Sequence, residues 1–359
     1  MTTLLLGTRK GLLTYTQTKT GWEPTKIDFA GSPVSHTMRD PRTNIRWAAL
    51  DHGHWGSKLW RSMDEGATWE EMTAPAYPEG TMRSDGEPAT VSYLWLIAPG
   101  GKDQPDRMYV GSEPGGLFQS DDGGCSFKLV ESLWNHPTRE KWWFGGGRDH
   151  PGVCSVVVDP RDSNHILIGI SVGGVFETTD GGQHWETRNK GLLACYLPDP
   201  HSEAGHDPHY MVASPSNPDV LWQQNHCGVF RSVDGAKTWQ DISQPEQAIR
   251  FGFAIAVDAK DENTAWVVPA ISDSDRRAVD RALSVCRTED GGKTWTTLRN
   301  GLPQRETYDV VFRHALDING EQLAFGSTTG NLFFSADRGD SWQTIGHHLP
   351  PIYSVRFTP

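Results

Sequence analysis

One phrase, Ser/Thr-x-Asp-x-Gly-x-Ser/Thr-Trp, recurs six times along this chain and constrains what it can fold into more than any other feature. The copies centre on Asp64, Asp122, Asp180, Asp234, Asp290 and Asp337, for example Ser62-Met-Asp64-Glu-Gly66-Ala-Thr68-Trp69. Successive Asp residues are 58, 58, 54, 56 and 47 positions apart. Self-similarity at a period of about 40–50 residues predicts an array of small sheets, above all a β-propeller. Each copy sits between two strand-like runs, as Gly116-Leu-Phe-Gln before Asp122 and Phe127-Lys-Leu-Val after it. That is a hairpin turn. The Asp carboxylate accepts backbone N–H groups, Gly supplies the left-handed backbone, and the Ser or Thr hydroxyl closes the loop. The Trp then places a large apolar surface against neighbouring strands.

Aligning whole units predicts an all-β, seven-bladed propeller that forms one domain over residues 1–359. Inner strands are expected at Val34–Arg39, Val91–Ala98, Val153–Asp159, Tyr210–Ser214, Phe253–Asp258 and Tyr308–Arg313. The chain begins in mid-unit at Leu4-Leu5-Leu6, and Thr20-Gly21-Trp22 reads as a worn copy of the turn. The missing inner strand of that unit is supplied by Ile352–Phe357, so the last strand completes the first blade and covers its edge.

Composition narrows the function classes. No run approaches the ~18–20 apolar residues of a membrane helix, and Leu4–Leu6 is too short for a secretory core. The five cysteines are odd in number and show no paired spacing, so no disulfide framework is implied. A soluble, cytoplasmic protein is expected. A net charge of −12 argues against a nucleic-acid partner, which needs a basic face.

Loops that lead into inner strands, and turns between second and third strands, share one end of each blade, where function usually gathers. Eight of the 14 histidines map there: His36, His52, His54, His150, His201, His206, His209 and His226. Two readings compete. Imidazoles can serve as satisfied polar groups that bridge water. Alternatively, His54, His150, His209 and His226 converge on a divalent metal (Zn, Fe or Mn), with Glu306 or Asp207 as a carboxylate ligand or supporting partner. Strand parity tempers convergence: counted back from Pro41 and Pro215, His36 and His209 fall on opposite sides unless one precedes its strand.

The carboxylates at the same end are Glu113, Asp149, Glu203, Asp207, Glu306 and Asp309. Two facing carboxyls would serve glycoside hydrolysis; otherwise each caps a loop or pairs with an arginine, Asp149 with Arg148 and Glu306 with Arg305. Glu306 and Asp149 are the candidate general bases, and His36, His52, Trp55, Glu113, Arg148 and Arg305 the candidate substrate contacts. The insertion Trp134–Gly147 reads either as a sugar-stacking lid or as a loop packing its own aromatics, and Ser272–Arg281 as a solvated loop or an overhang. Cys227, beside His226, reads as a thiolate nucleophile or ligand, or as a small buried residue.

The six turns resemble the Asp-box (BNR) repeats of sialidase-like propellers, and the chain is similar to bacterial "glycosyl hydrolase, BNR repeat" proteins. The resemblance covers the whole chain as a fold and stops at the sialidase site. The Phe-Arg-Ile-Pro motif of that family is absent; the matching region reads Gly7-Thr-Arg9-Lys10-Gly11, which leaves Arg9 as the one catalytic relic. Asp-box propellers also include photosystem II assembly factors and sortilin-type receptors, which bind proteins or peptides. Three functions therefore remain open. One is a metal-assisted hydrolase or lyase on a small polar or carbohydrate-like substrate at a His-rich channel mouth. The others are a metal-free glycosidase using a carboxylate pair, and a non-catalytic scaffold for a protein partner. The sequence does not specify the oligomeric state.

Overall fold

In a computed structural model, residues 2–139 and 148–358 are described. They form seven four-stranded antiparallel sheets, the blades of a seven-bladed β-propeller. Two compact units divide the chain, one comprising residues 32–189 and 202–208, the other residues 1–31, 190–201 and 209–359.

The first unit carries three blades. Blade 2 is Val34–Arg39, Arg46–Asp51, Ser57–Ser62 and Glu70–Met72. Blade 3 is Tyr93–Pro99, Met108–Glu113, Leu117–Ser120 and Lys128–Leu129. Blade 4 is Gly152–Asp159, Asp162–Ser171, Gly174–Thr178 and Glu186–Thr187. Alternating strands bury one side of each sheet against the next blade. Met38, Trp47 and Leu59 thus share a core with Ile97, Val110 and Phe118, while Leu96, Tyr109 and Leu117 pack with Ile166, Ile168 and Phe176.

The second unit carries four. Blade 1 joins Ile352–Thr358 to Thr3–Thr8, Gly11–Gln17 and Trp22–Asp28, with Leu6 opposite Val355 and Leu4 opposite Phe357. The C-terminal strand therefore completes the first blade, as the repeat alignment predicts. Trp22 follows the turn at Gly21 and packs on Phe334 at 5.0 Å. Blade 5 is Pro208–Ser214, Asn217–Asn225, Gly228–Ser232 and Gln240–Asp241; blade 6 is Gly252–Val257, Ala265–Pro269, Val285–Thr288 and Thr296–Leu298. Blade 7 is Leu316–Asn319, Gln322–Gly326, Leu332–Ser335 and Gln343–Gly346. Its inner strand lies downstream of the expected Tyr308–Arg313. The ladder starts at Leu316 opposite Phe325, whereas Val310 N–H donates to Thr328 Oγ1 instead of a strand partner.

The six turns share one wiring. In the first, Ser62 Oγ donates to Asp64 Oδ1 (2.7 Å) and accepts from Gly66 N–H (2.7 Å), while Thr68 donates its N–H to Oδ1 (2.8 Å) and its hydroxyl to Oδ2 (2.6 Å). The position after the Asp pair needs a left-handed backbone: Gly66, Gly124, Gly182, Gly292 and Gly339 have φ between 80° and 92°, and Ala236 takes it at 65°. Trp185, Trp239, Trp295 and Trp342 are buried beneath their turns.

Inner strands carry one further device. Blades 2, 3, 4 and 6 each shift register near the start of the inner strand, after Val34, Leu94, Val153 and Gly252. Such a bulge re-aims the inserted side chain. Ser35 Oγ donates to Leu94 O (2.8 Å) and Cys154 Sγ to Pro208 O (3.1 Å), hooking each inner strand to the next.

Candidate functional site

In the first unit, two of the predicted contacts, Glu113 and Arg148, meet. Glu113 ends the second strand of blade 3 and is 2% exposed. Its Oε2 accepts from Arg148 Nε (2.5 Å) and from Trp95 Nε1 (3.4 Å). Trp95 reaches it because it is the bulged residue of its strand. The Arg148 guanidinium lies over the Tyr93 ring, 4.0 Å from its centre, and Tyr93 stands edge-on to Trp95. Burial, which lowers the Arg148 pKa, is outweighed by Glu113, Tyr93 and Asp51, so the net shift is upward. Arg148 is thus a planar cation held between an aromatic face and a buried carboxylate.

Asp51 opens the turn that holds His52, His54 and Trp55. His54 packs edge-on to Trp55 (4.5 Å), whose indole is 67% exposed. His52 is half-buried, with Nδ1 lacking a hydrogen bond. Asp149 is exposed and His150 half-buried, within electrostatic range of Asp85. Arg148 thus pairs with Glu113 rather than with Asp149, as sequence adjacency suggested. His36 is fully buried and its Nδ1 accepts from Ile97 N–H (3.3 Å), so it joins two strands and does not serve as a substrate contact. The reason is its depth in Val34–Arg39 rather than at the strand's mouth.

Trp134 packs on Tyr77 at 4.7 Å, and the Arg139 guanidinium lies over its ring at 3.6 Å. Trp142, Trp143 and the glycines at 145–147 lie outside the described residues. Asp207 accepts at Oδ1 from Ser171 Oγ (2.7 Å) and Val172 N–H, so it caps a turn; Glu203 accepts weakly from Thr187 Oγ1.

In the second unit, His209 and His226 come together with ligand nitrogens within 4.8 Å and ring centres 5.8 Å apart. His209 Nδ1 meets Gly252 O at 2.6 Å, so Nδ1 carries a proton and donates it to that carbonyl. The ring stacks on Phe253 (4.5 Å) and stands edge-on to Phe251 (5.5 Å). His226, at the turn after Asn225, meets Tyr196 (5.1 Å) and Phe251 (5.7 Å), and Asp273 Oδ2 approaches its Nε2 at 3.8 Å. The Ser272–Arg281 loop therefore overhangs this pair, and Arg276 lies 5.5 Å over Phe253.

The four-histidine ligand set is corrected. His54 and His150 belong to no metal-capable group among the described residues, because each sits on a turn that presents it to Trp55 or Asp85. Glu306 is exposed, pairs with Arg281 (3.2 Å) rather than Arg305, and accepts from Tyr308 Oη (3.0 Å). Its backbone is left-handed, with a φ of 50°. Arg305 and Arg9 are exposed, and Arg9 N–H donates to Pro351 O. Asp309 is buried and accepts from Ser327, Thr329 and Asn331 (2.6, 2.6 and 2.9 Å), a loop cap. Sequence reasoning missed Cys195, whose Sγ lies 2.6 Å from that of Cys227. Nothing local marks that pair, since 32 residues separate the two.

No family model matches the chain. A xyloglucanase of Paenibacillus sp is 24% identical over 324 residues, 80% of this chain and 29% of that enzyme. Xyloglucanase Xgh74A of Acetivibrio thermocellus is 25% identical over 229 residues, 56% of this chain and 25% of that one. The chain thus spans under a third of the length of these relatives. Among solved structures, the GH74 enzyme of Niastella koreensis superposes with a TM-score of 0.55 at 15% identity, over 88% of this chain and 45% of that one. YCF48 from Cyanidioschyzon merolae gives 0.56 at 15% identity, over 92% and 89%. A YCF48 structure bound to D1 peptide gives 0.52, over 86% and 85%.

Proposed function

We propose that this chain is a carbohydrate-directed propeller of the glycoside hydrolase class, and that a branched glucan of the xyloglucan kind is the substrate to test first. The observation that carries the proposal is similarity to xyloglucanases along 80% of the chain. Two side chains of the first unit support it: Trp55 offers an exposed indole for stacking a sugar ring, and Arg148, held by Glu113, offers a positioned donor. Glu113 is a positioning residue, since its buried oxygen holds Arg148 and Trp95. Asp149, exposed beside Arg148, is assigned the proton-transfer role. Xyloglucan oligosaccharides should bind by calorimetry and release new reducing ends. Trp55→Ala should weaken binding, and Asp149→Asn should cut turnover by about 100-fold or more with binding retained. Folded protein that neither binds nor cleaves xyloglucan or cello-oligosaccharides would overturn the reading. Peptide docking, as in YCF48 bound to D1 peptide, would then replace it.

A second reading concerns a divalent metal, zinc, iron or manganese, and the orientation of His209 supports it. A histidine whose Nδ1 donates to a carbonyl is oriented as a metal ligand is, and a ring nitrogen of His226 lies within 4.8 Å of one of its own. Protein purified without chelator should carry stoichiometric metal that His209→Ala and His226→Ala both lose. Metal retained by both variants, or no metal after reconstitution, would remove this reading and leave the carbohydrate proposal standing.

A further inference from the structure

Cys195 and Cys227 are the two sulfurs of this chain that the fold presses together. Their Sγ atoms lie 2.6 Å apart, inside van der Waals contact, and Cys195 N–H also donates to Cys227 Sγ at 3.1 Å. Cys227 is buried in the turn between the second and third strands of blade 5, where Asn225 Oδ1 accepts from its N–H. Cys195 is exposed, in a loop closed by the Ala194 N–H to Pro200 O bond and tied by Lys190 O to Trp239 N–H. The next residue, Tyr196, stands edge-on to His226, the neighbour of Cys227. Packing has thus already brought the thiols together, the step that loop-closure entropy makes costly for an unconstrained pair.

We propose that Cys195 and Cys227 form a peroxide-sensitive thiol pair that closes into a disulfide and fixes the 190–201 loop against His226. Hydrogen peroxide is the oxidant. The exposed Cys195 thiolate attacks one peroxide oxygen, the O–O bond breaks, and the departing hydroxide leaves as water with the thiol proton. The resulting Cys195 sulfenic acid is attacked at sulfur by the Cys227 thiolate. The S–O bond breaks, hydroxide takes the second proton as water, and the S–S bond forms. Two thiols and one peroxide give one disulfide and two waters, with both sulfurs oxidised and the peroxide reduced. The accessible member reacts first and the buried member resolves it, the order that exposure dictates.

The test is direct because no Lys or Arg lies between Gly191 and Arg231, so one tryptic peptide carries both cysteines and none of the other three. Native protein is treated with hydrogen peroxide, alkylated under denaturing conditions and digested. That peptide should carry no alkyl group and weigh two hydrogens less than its dithiol form, and dithiothreitol should restore the two hydrogens and let both cysteines be alkylated. Cleavage after Tyr196 should then give two fragments held together until reduced. Cys227→Ser should accumulate sulfenic acid at Cys195, and Cys195→Ser should leave Cys227 alkylatable after the same treatment. Sulfinic acid at Cys195 with Cys227 still alkylated in the wild type would overturn the proposal, as would pairing of Cys195 with Cys125 of a second molecule. The mass readout stands whether or not the chain acts on carbohydrate.

Discussion

Gly124 shows how one residue couples a surface turn to the core. Its φ is 80°, and a Cβ built there would run into the Trp47 ring, which is buried in the core between blades 2 and 3. The left-handed backbone costs about 1–2 kcal/mol for a residue with Cβ, and overpacking adds about 1–3 kcal/mol. Ala236 occupies the matching position of blade 5 at φ 65°, so the backbone term alone is tolerated and the clash decides. Gly124→Ala should therefore destabilise by about 2–5 kcal/mol in urea unfolding; a loss under about 1 kcal/mol would mean that Trp47 moves aside freely. Single-residue placement was also where sequence reasoning was weakest. Trp95 is the clearest case: a register shift between Leu94 and Leu96 makes it the bulged residue that reaches Glu113, and nothing in the run Val91–Ala98 announces it. An inserted residue reverses alternation without leaving a mark in composition.

At the scale of elements, the six turns are acid-labile by construction. Asp64 and Asp122 are held down to about 2 from the usual 3.8, first by the hydroxyls of Thr68 and Ser126, then by the same residues' N–H groups. In Asp234, Asp290 and Asp337 burial pulls the other way, and the turn's hydroxyl and N–H donors outweigh it. Carboxylates depressed in the fold contribute stability that is present above their unfolded pKa and lost as pH falls through the folded one. Unfolding followed by circular dichroism should therefore become steeply pH-dependent between 3.8 and about 2. Asp122→Asn should flatten that dependence while lowering stability at neutral pH; an unchanged slope would show that other carboxylates govern acid unfolding. These turns were legible in the sequence because every donor and acceptor lies within seven residues of the others. The inner strand of blade 7 was not, since an extended run such as Tyr308–Arg313 becomes a strand only if a partner pairs with it, and the ladder starts at Leu316.

For the whole molecule, the repeat served as a ruler: it numbered the blades and showed that the first lacks an inner strand. Convergence was beyond it. Glu113 meets Arg148 across 35 residues and Cys195 meets Cys227 across 32, and no local pattern encodes either approach. Completion of blade 1 is the legible part with the largest consequence. Ile352–Thr358 pairs along the full length of Thr3–Thr8, and Ile352 and Val355 sit in one core with Leu4, Leu6, Phe325 and Trp342. Removing residues 352–359 would leave Thr3–Thr8 as an unpaired edge with apolar Leu4 and Leu6 uncovered, a template for pairing between chains. The truncated protein should elute as soluble aggregate in size-exclusion chromatography, and a synthetic peptide of residues 350–359 added during refolding should restore the elution position of the full chain. The same peptide with Val355→Asp should not, because it keeps the backbone ladder and places a charge in the core. Truncated protein that elutes and unfolds like the full chain would mean that the strand adorns the first blade rather than completing it.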